Sequence, residues 1–130
     1  MSSLGSKSDP NVRICIPTMG NGGLREYVCE HFGRAPTFTV VDLATNEVKV
    51  IPNTSEHMGG IQKPPELIAG TEVQVMLCSG LGPWAIKMFE DLGIEVFVGA
   101  SGTVMDAIKA WKEGKLQEAT GSNVCKMHRH

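Results

Sequence analysis

Three stretches of this chain of 130 residues gather the side chains best suited to bind a soft metal. Cys29-Glu30-His31 places a thiol and an imidazole two residues apart, beside an expected turn. His57 stands in a glycine-containing loop, His57-Met58-Gly59-Gly60. Cys125-Lys126-Met127-His128-Arg129-His130 brings together a thiol, a thioether and two imidazoles. Thiolate and imidazole suit zinc or iron–sulfur species, whereas Mg²⁺ and Ca²⁺ call for oxygen ligands. Cys29, His31 and His57 are therefore the first candidate metal ligands, with Cys125 and His128 as further candidates. No C-x₂-C pair occurs, so neither a zinc ribbon nor a ferredoxin-type cluster is indicated. Each group also has a plain structural reading: a surface or capping side chain, or a terminal segment that takes up metal adventitiously.

Other chemistries find less support. A two-metal nuclease needs clustered carboxylates. The strands that would carry them offer Ile14, Cys15 and Ile16, and Met76, Leu77 and Cys78, which leaves Asp42 as one lone acid near a strand end. Ser79 and Ser101 each precede a glycine, yet no G-x-S-x-G elbow surrounds either. Cys78 closes an apolar run and reads as a small core residue rather than a reactive thiol. Gly80-Leu81-Gly82-Pro83 and Gly99–Gly102 could present backbone N–H groups to an anion at two helix starts. No Gly-Lys-Ser/Thr follows, so neither is a Walker A loop.

The elements that must position these residues follow from composition and periodicity. The chain carries 12 Lys+Arg against 14 Asp+Glu, for a formal charge of −2. That balance lacks the electrostatic footprint of a nucleic-acid binder. No apolar run reaches the roughly 18 residues of a membrane span, and residues 1–11 are polar, without a signal-peptide core. The expectation is a cytoplasmic protein with reduced thiols. Its organisation reads as a flexible tail over 1–11, one domain over 12–116, and a loosely structured Cys/His-containing tail over 117–130.

Val12–Thr18 alternates as a central strand that Pro17 should end. Leu24, Val28 and Phe32 recur at four-residue spacing, which fits a short helix or an ordered turn. Thr37–Leu43 and Glu47–Pro52 predict an antiparallel hairpin. Val73–Cys78 and Ile94–Val98 predict buried parallel strands. A helix starting at Pro83 should bury Ala85, Met88, Phe89 and Leu92, and a second over Thr103–Glu113 should bury Val104, Ala107, Ile108 and Trp111. Trp84 and Trp111 both read as packing residues. Strands first, then alternating helix and strand, favour an α/β fold with a mixed five-stranded sheet of order 3-2-1-4-5 and helices on its faces. That order puts a switch point between the first and fourth strands, where ligands gather at strand C-termini.

His31-Phe32-Gly33-Arg34-Ala35-Pro36-Thr37-Phe38 carries a family resemblance. So do His57-Met58-Gly59-Gly60, Gly80-Leu81-Gly82-Pro83-Trp84-Ala85, Gly93-Ile94 with Val96, and Ala107 with Gly114 and Leu116. In this order the chain resembles the dinitrogenase iron–molybdenum cofactor biosynthesis family, which includes NifX-type carriers and the C-terminal domain of NifB-type proteins. The resemblance runs from Val12 to Leu116. It implies a ribonuclease-H-like motif used without nuclease chemistry: a non-catalytic carrier of an iron–sulfur cluster or iron–molybdenum cofactor precursor. Partners would be cluster donor and acceptor proteins, with no nucleic acid and no membrane, and the chain a monomer or homodimer. On that reading Cys29, His31 and His57 supply soft donors from mobile loops. Arg34 and the N–H groups around Gly59, Gly60 and Gly82 offset the charge of an anionic cluster. The competing readings are a regulatory or protein-interaction module without metal, a mononuclear zinc protein, and a small enzyme acting through the Gly82 and Gly102 loops.

Overall fold

A computed structural model describes residues 12–53, 68 and 70–119. The chain forms β1 (Arg13–Thr18), β2 (Thr37–Asp42), β3 (Glu47–Pro52), β4 (Val75–Cys78), helix α1 (Pro83–Asp91), β5 (Glu95–Val98), helix α2 (Val104–Lys112) and β6 (Gln117–Ala119). These strands make one mixed sheet of order β3-β2-β1-β4-β5-β6. Pairs β1/β2, β2/β3 and β5/β6 are antiparallel; β1/β4 and β4/β5 are parallel. The expected order holds, but the count of five strands is corrected to six. Gln117–Ala119 comes from a segment expected to be loosely structured, and it pairs with Val96–Val98. Three residues, of which only Ala119 is buried, show no alternation that a sequence pattern could reveal.

Pro17 does not end β1. The register with β2 runs on through Pro17↔Phe38 and Thr18↔Thr37. The Pro17 carbonyl accepts from Cys29 N at 2.8 Å, on the side of β1 away from β2. The N–H and C=O of one strand residue point the same way, so the missing donor falls on that side and costs the β2 ladder nothing.

Two apolar layers cover the sheet. On one face, Cys15, Phe38, Val40, Met76, Cys78 and Val96 pack against Ile86 and Phe89 of α1. On the other, Ile14, Ile16, Val41, Val75, Leu77 and Phe97 pack against Val104, Ala107, Ile108 and Trp111 of α2. Trp111 meets Phe97 edge-on at 6.2 Å. All four residues expected to face inward from the second helix do so. A capping box starts α2: Thr103 Oγ1 accepts from Asp106 N, and the Asp106 carboxylate accepts from Thr103 N, both at 3.1 Å. For α1, Pro83 at N1 and Gly93 at φ +78° set the ends. Its buried residues are Ala85, Ile86 and Phe89, whereas Leu92 is 42% exposed. The helix has already stopped at Asp91, so Leu92 leaves the helical stripe. Trp84 is 53% exposed, which corrects its reading as a packing residue.

At the far end of β1, Arg13 Nε donates to Asp42 Oδ2 at 3.1 Å, and Arg13 also pairs with Glu72 at 3.3 Å. The lone acid considered as a metal ligand is thus spent on an ion pair. The hydrogen bond from Arg13 holds the Asp42 carboxyl below the usual carboxylate range. Backbone and side-chain hydrogen bonds from Thr103 do the same for Asp106.

Two predictions follow from this packing. Phe89→Ala should cost about 3–5 kcal/mol, whereas Leu92→Ala should stay within about 0.5 kcal/mol, read from urea midpoints at unchanged m-value. The pKa values of Asp42 and Asp106 are lowered by folding, so their contribution is complete above the unfolded-chain value of about 3.9 and is lost as pH falls through their folded values. Asp42→Asn should therefore lower stability at neutral pH and flatten the acid limb of a stability–pH curve measured by urea titration.

Candidate functional site

The site is built where β4 stops pairing with β1. Their register covers Ile14↔Val75 and Cys15↔Met76. Farther along, Thr18 bridges Val28 in antiparallel fashion while still pairing with Thr37 on its other side. Cys29 N donates to Pro17 O, and Met19 N to Tyr27 O at 3.1 Å. Val28 and Cys29 therefore occupy the edge of β1 that β4 leaves free. This settles the ambiguous stretch Leu24–Phe32. It is not one helix but a 3-10 turn at Gly23–Arg25, an extended segment, and a second 3-10 turn at Phe32–Arg34. The reason is that Val28 packs into the α2-side layer and Phe32 into the α1-side layer. A single helical stripe cannot serve both faces of a sheet.

Phe32 anchors the turn that bears the candidate residues. Its ring lies 5.6 Å from Phe38 and 5.5 Å from Phe89. With Phe32 buried, His31 and Arg34 on either side of it are left exposed. They line a cavity of about 480 Å³ together with Met19, Val28, Cys29, Glu30 and Pro36. Cys29 is 6% exposed, and its thiol lies 3.5 Å from His31 O, to which it donates. The structure thus brings Cys29, His31 and Arg34 to one cavity. Among the described residues, neither His31 nor Arg34 forms an ion pair. Exposure and proximity give one soft donor at the wall, with an imidazole, a guanidinium and the Glu30 carboxylate around the mouth.

Other expected residues fall elsewhere. His57, Gly59, Gly60, Cys125 and His128 lie outside the described residues. Gly82 caps the start of α1 at the same end of the sheet, but does not line the cavity. A Cβ placed on Gly82 would meet nothing within 4 Å, so packing does not require glycine there. The second glycine loop is already used: Gly102 O accepts from Val28 N at 2.9 Å, and the capping box fills the start of α2. Among the described residues, no three His, Cys, Asp or Glu side chains are placed to hold a metal ion. Burial raises the thiol pKa of Cys15 and pushes that of Cys78 up to about 12, in keeping with core roles. Ser79 donates its hydroxyl to Ala100 O at 2.7 Å and so ties the β4 and β5 loops together.

Two devices hold the loop after β1, and neither was singled out in the sequence. Thr18, Thr37 and Thr39 form a buried hydroxyl cluster, with Thr18 Oγ1 at 2.7 Å from Thr37 Oγ1 and 2.9 Å from Thr39 Oγ1. Thr37 donates onward to Gly20 O at 2.8 Å. At the far end of the loop, the Glu26 carboxylate accepts from Gly22 N at 2.9 Å and Tyr27 N at 3.0 Å. A Cβ on Gly22 would come within 2.9 Å of that carboxylate and 3.3 Å of the Glu26 Cα, which explains the glycine. The loop after β1 is therefore pinned at both ends. The one sequence signal was Thr37-x-Thr39 at strand spacing, which β-propensity alone accounts for.

Comparison with known proteins gives a consistent picture. The family described as dinitrogenase iron–molybdenum cofactor matches residues 12–114. An uncharacterised protein of Methanocaldococcus jannaschii is 33% identical over 112 residues, spanning 82% of this chain and 91% of its own. The apo form of the orange protein from Desulfovibrio gigas superposes with a TM-score of 0.72 at 27% identity, covering 84% of this chain and 93% of that one. A Thermotoga protein named for NifB gives 0.68 at 27% identity, covering 82% and 92%.

Exposed groups at a cavity mouth contribute little to folding. His31→Ala and Arg34→Ala should each leave stability within about 0.5 kcal/mol of the parent in urea titrations. A larger loss would mark them as structural.

Proposed function

Because the chain belongs to the dinitrogenase iron–molybdenum cofactor family, we propose that it is a non-catalytic carrier of an iron–sulfur or iron–molybdenum-type cluster. The cluster is its cargo, received from a donor protein and passed to an acceptor. The observation that carries this reading is the cavity that joins Cys29, His31 and Arg34 at the end of the central strand. A thiolate and an imidazole are the donors that sulfide-containing metal centres prefer, and a guanidinium at the mouth offsets the charge of an anionic guest. Few protein ligands favour handover, since each metal–ligand bond must break on release.

On this reading the sheet is a ribonuclease-H-like motif, its order 3-2-1-4-5 extended by β6. The 12–116 unit carries the function, and the thiols are kept reduced in the cytoplasm. His57, with the backbone of Gly59 and Gly60, is proposed to complete the donor set, Gly82 to offer N–H groups from the start of α1, and Cys125 and His128 to add later contacts. The apo form of a relative, the orange protein, is in keeping with a fold whose guest is removable. The chain works as a monomer or homodimer, without nucleic acid or membrane. A second reading, a protein-interaction module, draws on the exposed Met19, Tyr27 and Trp84, residue types enriched at interfaces.

The test is anaerobic purification followed by iron, molybdenum, zinc and acid-labile sulfide analysis, with a visible spectrum. The carrier reading expects metal and sulfide in fixed ratio, retained by the parent and reduced by about tenfold or more in Cys29→Ala/His57→Ala, since losing even an outer-shell partner of a metal ligand costs about 10–100-fold in affinity. Unchanged stoichiometry in that variant would reject the site. Zinc without sulfide, or a colourless protein that takes up neither iron nor sulfide on reconstitution, would reject the cargo.

A further inference from the structure

We propose that Thr37 is a positioning residue that sets the width of the Cys29 cavity by stapling its two walls together. One wall is Met19, at the start of the loop after β1; the other is Arg34 and Pro36, just before β2. Thr37 follows Pro36 directly, and its hydroxyl reaches Gly20 O, the carbonyl directly after Met19, at 2.8 Å. Thr18↔Thr37 is the last pair in the β1/β2 ladder. Past it, the chain turns toward Tyr27 through Met19 N. A side-chain hydroxyl thus continues the connection between the walls after the backbone ladder has ended.

The direction of the hydroxyl chain follows from counting hydrogens. Thr37 has one hydroxyl hydrogen, directed to Gly20 O and, at 3.1 Å, to Thr18 O. It must then accept from Thr18. Thr18 has thereby spent its own hydrogen, so Thr39 donates to Thr18. The order is Thr39 to Thr18 to Thr37 to Gly20 O, and only the last step joins neighbours of the two walls, Thr37 beside Pro36 and Gly20 beside Met19. All three side chains are buried, Thr18 and Thr39 completely. Three valines would suit these strand positions as well and would bury no polar group. What the hydroxyls add is a fixed geometry at Gly20, because a buried polar chain tolerates one arrangement in which every member is satisfied. Glu26 holds the other end of the loop independently. Loss of the Thr37 bond therefore frees Gly20, the neighbour of Met19, while Met19 N stays tied to Tyr27 O and the loop as a whole is not released.

The bearing of this on cargo rests on the Cys29 cavity being the binding site, whereas the measurement reads only thiol access, so the two fail separately. In a Cys125→Ser background, the thiols are titrated with 5,5′-dithiobis(2-nitrobenzoate) and the label is assigned by peptide mass spectrometry. Cys15 and Cys78, at 0% and 1% exposure, report general loosening. Thr37→Val should raise the Cys29 rate about fivefold or more, the effect of losing one buried hydrogen bond from the closed state, with Cys15 and Cys78 still unlabelled. Thr37→Ser should restore the parent rate, and Thr39→Val, which removes only the first donor, should leave it unchanged. Thr37→Ala serves if the valine variant does not fold. An unchanged Cys29 rate in the folded Thr37 variant, or a rise matched by Cys15 and Cys78, would overturn the proposal.

Discussion

A central strand must satisfy the hydrogen-bonding groups on both of its edges along its whole length, and β1 meets that demand with three different partners. β2 takes one edge through Thr18. β4 takes the other edge at Ile14 and Cys15, and the Val28–Cys29 segment takes it at Pro17 and Thr18. The third partner is the one with consequences. Drawing Val28 and Cys29 onto the strand edge brings the thiol to the sheet's C-terminal end, commits Phe32 to the core, and leaves His31 and Arg34 outside. A cavity there is the outcome of completing a ladder with a segment that is not itself a strand.

The same arrangement sorts the cysteines by chemistry. Cys15 and Cys78 share the apolar layer with Met76 and Phe89, and burial keeps them protonated. Cys29 belongs to that layer too, but lies on its rim, where the cavity reaches it. One sheet face therefore holds two thiols sealed in the core and a third, 6% exposed, that borders a cavity, all within a single packed cluster. On the proposed carrier reading, that division would let a guest be held at one sulfur without competing thiols at the same cavity. The surrounding loop is held rather than loose: Thr37 fixes it at Gly20 and Glu26 at Gly22 and Tyr27. Rigid walls reduce the ordering cost of binding, so on the same proposed reading release would depend on few protein–guest bonds rather than on a flapping loop.

Much of the architecture was legible from pattern. The apolar run Val73–Cys78, the β2–β3 hairpin and the Val104, Ala107, Ile108, Trp111 stripe each report burial through pattern; the structure forms β4 over Val75–Cys78 of that run and places the hairpin and stripe as expected. Periodicity failed where one segment serves two layers. Leu24, Val28 and Phe32 look like a helical face, yet Val28 and Phe32 go to opposite sides of the sheet. Leu92 looked like the end of a stripe, but the helix had stopped at Asp91. Gln117–Ala119 had too few residues to show alternation at all. Of the candidate site, Cys29, His31 and Arg34 were legible as residue types in a motif, while Thr18, Thr37 and Glu26 were not, because threonine in a strand and glutamate in a loop are ordinary.

By itself the sequence determined the strand order of the first five strands, helices α1 and α2, the lack of acids in the runs Ile14–Ile16 and Met76–Cys78, and the motif through which the family is recognised. These are local or compositional properties, set by period, charge and residue type. Only the tertiary structure decided that Cys29 borders a cavity while Cys15 and Cys78 lie wholly in the core, that Asp42 is spent on Arg13, and that a hydroxyl chain from Thr39 ends at Gly20 O. Those facts depend on which side chains meet across strands distant in the chain, and burial and hydrogen-bond partners exist only once the ladders have closed.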